Sequence, residues 1–138
     1  MEELENLVKI KQFKKEPADQ NEFDGMVLAA TTKLKDVSIQ GLSLDSQFSI
    51  AYGAAHALAL AALRWHGYRS ENRYLVFQCL QHTVGLASSK WRIFDICHKK
   101  RNLAEYEGQL DVDKRLVAEL ITSTQELLLL VNSLQDIC

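Results

Sequence analysis

Ser46-Gln47-Phe48-Ser49-Ile50-Ala51-Tyr52-Gly53-Ala54-Ala55-His56-Ala57-Leu58-Ala59-Leu60-Ala61-Ala62-Leu63 is the stretch on which the fold turns. Between Asp45 and Arg64 no Asp, Glu, Lys or Arg interrupts it. A membrane span needs about 20 predominantly apolar residues. Here Gln47, Ser49, Tyr52 and His56 dilute the hydrophobicity, and alanine supplies much of the rest. Small side chains all round a helix let neighbours approach from every side, so the stretch reads as the central helix of a bundle and not as a membrane span.

The bulk properties agree. With 138 residues the chain suits one domain, 1–138, with one real core. Hydrophobic residues make up 47% and charged residues 25%, an ordinary balance for a globular protein. The formal net charge of −2 provides no global field toward nucleic acid or an anionic membrane, so any phosphate binding must come from a local patch. Cys79, Cys97 and Cys138 form no CxxC pair and no metal spacing; an odd count without a disulfide framework fits a reducing cytoplasm. The acidic start Met1-Glu2-Glu3-Leu4-Glu5 lacks the basic and apolar regions of a signal peptide.

Working outward from the central stretch, one Pro and six Gly leave few breaks, and no strand-like alternation occurs. A short helix is expected over Glu2 to Lys14, and Glu16-Pro17 breaks it. A second helix runs from about Asp19 to Asp36. The central helix is capped by Ser43 or Asp45 and ends at His66-Gly67. A fourth lies between Ser70 and Gly85, with Tyr74, Phe77, Leu80 and Val84 inward. The next starts at Ser88 or Ser89 and stops at Gly108. Asp111 or Asp113 caps the last, whose inward stripe is Leu116, Leu120, Ser123, Leu127, Leu130 and Leu134. The expected fold is an all-α, up-and-down helical bundle with no sheet, of four long helices plus a short N-terminal one.

The helix Trp91-Arg92-Ile93-Phe94-Asp95-Ile96-Cys97-His98-Lys99-Lys100-Arg101-Asn102-Leu103-Ala104-Glu105-Tyr106 carries the most chemistry. At about 100° per residue, Ile93, Phe94, Cys97 and Ala104 share one arc, and Arg101 falls within it. A second arc holds Trp91, Asp95, His98, Asn102 and Tyr106. A guanidinium against apolar surface is either a site residue or an Arg whose stem lies along the core while its head reaches water. Lys99, Lys100 and Arg101 form the local positive patch. His56, His66, His82 and His98 share no i, i+3 or i+4 spacing and no Glu-x-x-His pair, so neither a metal nor a cofactor is expected. Adjacent residues Cys97 and His98 diverge around the helix and make no nucleophile–base pair. Gly-rich phosphate loops, HExxH and Gly-x-Ser-x-Gly are absent.

Two stretches, residues 48–69 with the closing Gly67-Tyr68-Arg69 and residues 98–106, resemble the HEPN-domain family, prokaryotic helical proteins of toxin–antitoxin, defence and nucleotide-linked systems. The resemblance spans roughly residues 43–135. It implies that Arg101 and Asn102 stand where the family's Arg and following polar residue engage a scissile phosphate. In catalytic members a His five positions after the Arg serves metal-independent RNA cleavage; here that position is Tyr106. A general base should titrate near working pH, which His does and an ordinary phenol, at about 10, does not. His98, one turn before Asn102, could substitute. Where family members carry an adenylylated Tyr, this chain has Gly108. The resemblance thus leaves two readings. One is a cleft of Arg101, Asn102, Tyr106 and His98, with Lys99 and Lys100, that binds phosphate, RNA or a nucleotide without efficient catalysis. The other is a toxin-type endoribonuclease paired with an antitoxin or nucleotidyltransferase. It also implies a homodimer, with the apolar flank Ile96 and Leu103 of the motif helix at the seam.

Overall fold

In the computed structural model, which describes residues 2–137, four long helices form the bundle. They are α2 (Gln20–Asp36), α3 (Leu44–Trp65), α6 (Ser88–Glu107) and α7 (Lys114–Asn132). The short α1 (Glu2–Lys9) precedes them, and α4 (Arg73–Gln78) and α5 (Leu80–Thr83) lie between α3 and α6. Cys138 lies outside the described residues. Among the described residues no helix is long and apolar enough to cross a membrane.

α3 is the axis. It packs on α2, α7, α4, α5 and α6, and it buries Phe48, Ala51, Tyr52, Ala54, Ala55, Leu58, Ala59, Ala61, Ala62 and Leu63. Its alanines explain the close packing: at Gly53 even a methyl group would stand 3.2 Å from the Lys33 side chain on α2. Directions follow from pairs at the helix ends. Arg64, late in α3, meets Glu22, early in α2, so these helices are antiparallel. Trp65 Nε1 donates to the Gln135 carbonyl at 2.6 Å, just beyond α7, so α3 and α7 are parallel. Lys90, early in α6, approaches Glu126, late in α7, at 3.5 Å, and Lys100 approaches Asp111 at 3.3 Å, so α6 runs back. Up-and-down order results.

The helix starts follow local chemistry. Asp19 caps α2, accepting from the backbone N–H of Asn21 at 2.9 Å, Ser43 caps α3 through Ser46 N–H at 3.1 Å, and Asp113 caps α7 through Leu116 N–H at 2.8 Å. α6 starts at Ser88 behind Ala87, which offers no side-chain cap, and stops at Gly108, whose φ of 71° suits glycine.

Four expectations need correction. The first helix ends at Lys9 and not at Lys14: Lys11 has φ 63° and Gln12 N–H turns back to the Leu7 carbonyl. The freed segment makes a small sheet, β1 (Lys14–Lys15) antiparallel to β2 (Tyr68–Arg69), with Lys14 opposite Arg69. Two residues per strand are too few for alternation to show in a sequence. The third correction concerns residues 70–85, where the helix is broken at Cys79. Phe77 and Leu80 are buried, while Tyr74 is 39% exposed and Val84 only half-buried. The fourth concerns α7, where the buried stripe is Val117, Leu120, Thr124, Leu127 and Val131, and the expected Leu116, Ser123, Leu130 and Leu134 are only partly buried. Leucine surrounds this helix, so periodicity alone does not choose its face. Thr124 can go inside because its hydroxyl donates to the Leu120 carbonyl at 2.7 Å.

Candidate anion site

Three helices bring Tyr52 and His56 (α3), Arg73 and Phe77 (α4), and His98, Arg101 and Asn102 (α6) to one place. Tyr52 is buried at its centre. The Arg101 guanidinium stands 5.1 Å from the Tyr52 ring centroid and that of Arg73 5.8 Å from it, both within cation–π range. Phe48 and Phe77 hold the ring in place, stacked at 6.0 Å and tilted at 5.7 Å.

A hydrogen-bonded chain crosses the site. Asn102 Nδ2 donates to His98 Nε2 at 3.1 Å, and His98 Nδ1 lies 3.1 Å from the Tyr52 hydroxyl. With Nε2 accepting, the ring proton sits on Nδ1 and is donated to the Tyr52 oxygen. The imidazole is therefore held neutral. Burial pushes the His98 pKa below its ordinary value; Asp95 opposes this, and the cations of Arg73 and Arg101 reinforce it. His56, edge-on to Phe77 at 5.9 Å, is pushed down to about 4 by burial and then by Arg73 and Arg101. Burial raises the Tyr52 phenol, against the pull of the same two cations.

The charge is unbalanced. Arg101 pairs with Glu105 at 3.0 Å, and this carboxylate is itself largely exposed. Among the described residues Arg73 has no carboxylate partner within 4 Å. Asp95 Oδ2 is taken by Lys99 at 3.0 Å, while its Oδ1 is shielded and has no donor. Next to the cluster, Asp45, Phe48, Ser49, Arg101, Ala104, Glu105, Gly108 and Leu110 line an open cleft of about 350 Å³.

Of the residues singled out in the sequence, His98, Arg101 and Asn102 are brought together. Tyr106 is not: it is 89% exposed near the end of α6, beyond the reach of His98. Lys99 and Lys100 leave the cluster for Asp95 and Asp111. Tyr52, His56 and Arg73 escaped the sequence reading because they belong to other helices; Tyr52 and His56 were visible only as polar interruptions of an Ala-rich run. Cys97 is fully buried and burial pushes its thiol up to about 12, so it is an inert core residue. Among the described residues no group of three His, Cys, Asp or Glu could hold a metal ion.

Among the described residues the one fully buried arginine is Arg64, not Arg101. Its five N–H donors are all used. Nε and Nη2 bind Glu22 at 3.2 and 3.3 Å, Nη1 binds the Glu16 and Tyr68 carbonyls at 3.0 and 3.4 Å, and Nη2 also binds the Pro17 carbonyl at 2.9 Å. Arg69 bridges Glu16, at 2.6 Å, and Glu22. This network ties the N-terminal segment to the end of α3; with no donor of Arg64 left over, that residue is a structural clasp.

Comparison with known proteins adds nothing to this geometry: no family model, no curated protein and no solved structure matches the chain.

Proposed function

We propose that this chain is a HEPN-like binding domain whose Tyr52–Arg73–Arg101 cluster takes a phosphate group of single-stranded RNA or a nucleotide. One observation carries the reading. Two guanidinium groups lie over one buried ring, and among the described residues only Arg101 of the two has a carboxylate partner, the largely exposed Glu105. That is positive potential only partly countered, in donor groups whose fork matches phosphate. Asn102 and His98 position each other beside it.

The second reading, a metal-independent endoribonuclease, has one observation in its favour: His98 is a neutral imidazole next to two arginines, as a general base would be. Against it, both His98 nitrogens are already engaged by Tyr52 and Asn102, and Tyr106 stands apart. Binding without efficient cleavage therefore fits better. The HEPN resemblance would make an antitoxin or nucleotidyltransferase the protein partner, and Ile96 and Leu103, 41% and 52% exposed on one flank of α6, support self-association into a homodimer.

The test is the anisotropy of a labelled single-stranded oligoribonucleotide across a salt series. Arg101→Ala and Arg73→Ala should each weaken binding and reduce the slope of log K against log salt by roughly one unit. Undetectable binding by the wild type at low salt would refute the phosphate reading. Cleavage of the oligonucleotide, abolished by His98→Ala, would replace it with the enzyme.

A further inference from the structure

Tyr74 follows Arg73 on α4 but turns to a different neighbour. Its ring meets Trp91 nearly edge-on, with centroids 6.3 Å apart and planes at 76°. It tilts at 43° against His98, again at 6.3 Å. Nearby on the same helix, Val76 and Phe77 are 1% exposed, whereas Tyr74 is 39% exposed. A large aromatic ring is thus braced on two sides by α6 and open on a third. Through His98, the neighbour of both Tyr74 and Tyr52, it adjoins the ring that carries the two guanidinium groups.

A bare oxyanion needs the guanidinium groups and has no use for an open aromatic ring. A nucleotide needs both: donors for its phosphate and a flat apolar surface for its base, which stacks whatever its identity. We infer that Tyr74, braced by Trp91, is the base-stacking half of this site, so that the ligand is a nucleotide unit with its phosphate at Arg73 and Arg101. The inference rests on the phosphate reading above and assigns the neighbouring subsite. Tyr106, 89% exposed near the end of α6, stands apart from this subsite.

Calorimetric titration of the full chain with inorganic phosphate and with AMP separates the two claims. The wild type should bind AMP at least about tenfold more tightly than phosphate. Tyr74→Ala should bring AMP down to the affinity of phosphate and leave phosphate itself unchanged, Tyr74→Phe should retain the AMP affinity, and Arg101→Ala should weaken both ligands. If phosphate binds and AMP binds no tighter, or if Tyr74→Ala keeps the difference, the stacking subsite is wrong and the phosphate site stands. If neither ligand binds, the phosphate reading fails and the stacking subsite fails with it.

Discussion

The Tyr52 hydroxyl and His98 Nδ1 lie 3.1 Å apart across the α3–α6 interface. This contact, with the Asn102 amide on the far side of the ring, joins a residue of the alanine-rich core helix to the polar stripe of α6. It holds the imidazole in one tautomer beside the ring that carries the two guanidinium groups. Tyr52→Phe removes the acceptor for a partly buried N–H and should cost about 1–3 kcal/mol. Long-range nitrogen-15 spectra of the wild type at neutral pH should show His98 protonated at Nδ1. A proton on Nε2 would contradict the arrangement.

Stability should fall on acidification, starting well above the carboxylate range. His56 is neutral in the native state down to about pH 4, whereas an unfolded imidazole titrates near 6.5. As pH falls below 6.5 the unfolded chain takes up the proton first. The contribution, up to about 3 kcal/mol, is complete above pH 6.5 and lost progressively toward pH 4. Lowered His98 acts in the same direction. Urea midpoints from pH 7.5 to 4.5 should follow this course, and His56→Gln should flatten it. A bound anion should raise both histidine pKa values and soften the loss.

Arg64→Ala leaves the Glu22 carboxylate with Arg69 alone and strands the Glu16, Pro17 and Tyr68 carbonyls that share the Arg64 guanidinium. Breaking a buried charge pair from one side costs about 3–5 kcal/mol. Against a total of about 5–15 kcal/mol, the loss should appear as a large drop in urea midpoint or in soluble yield. The Lys90–Glu126 pair is the contrast. Both its side chains are about half exposed, so Lys90→Ala should shift the midpoint little.

Self-association can be read independently of any ligand. Wild-type protein at tens of micromolar should sediment as a dimer, and Leu103→Asp should return it to monomer with its helical circular dichroism intact. The half-exposed Leu103 side chain makes that substitution tolerable to the fold. A monomeric wild type would remove the dimer from the proposal.

Sequence alone determined the class of fold. A charge-free, alanine-rich run too polar for a bilayer had to be a central helix, and apolar spacing with Ser43, Asp113 and Gly108 in capping positions placed the long helices around it. These are local effects, written within about four residues of where they act. Tertiary structure decided the rest. Leucine lies all round α7, so only contact with α3 selected its buried face. Arg64 and Arg101 look alike in sequence, but only Arg64 meets Glu16 and Glu22, residues more than 40 positions away. Tyr106 had the right helical phase to join His98 and Asn102 but is 89% exposed, whereas those two are linked to Tyr52 of α3. Tyr52 and Arg73 contribute from helices whose relative placement no periodicity encodes. The site was half visible because α6 supplies half of it; the other half exists only where three helices pack together.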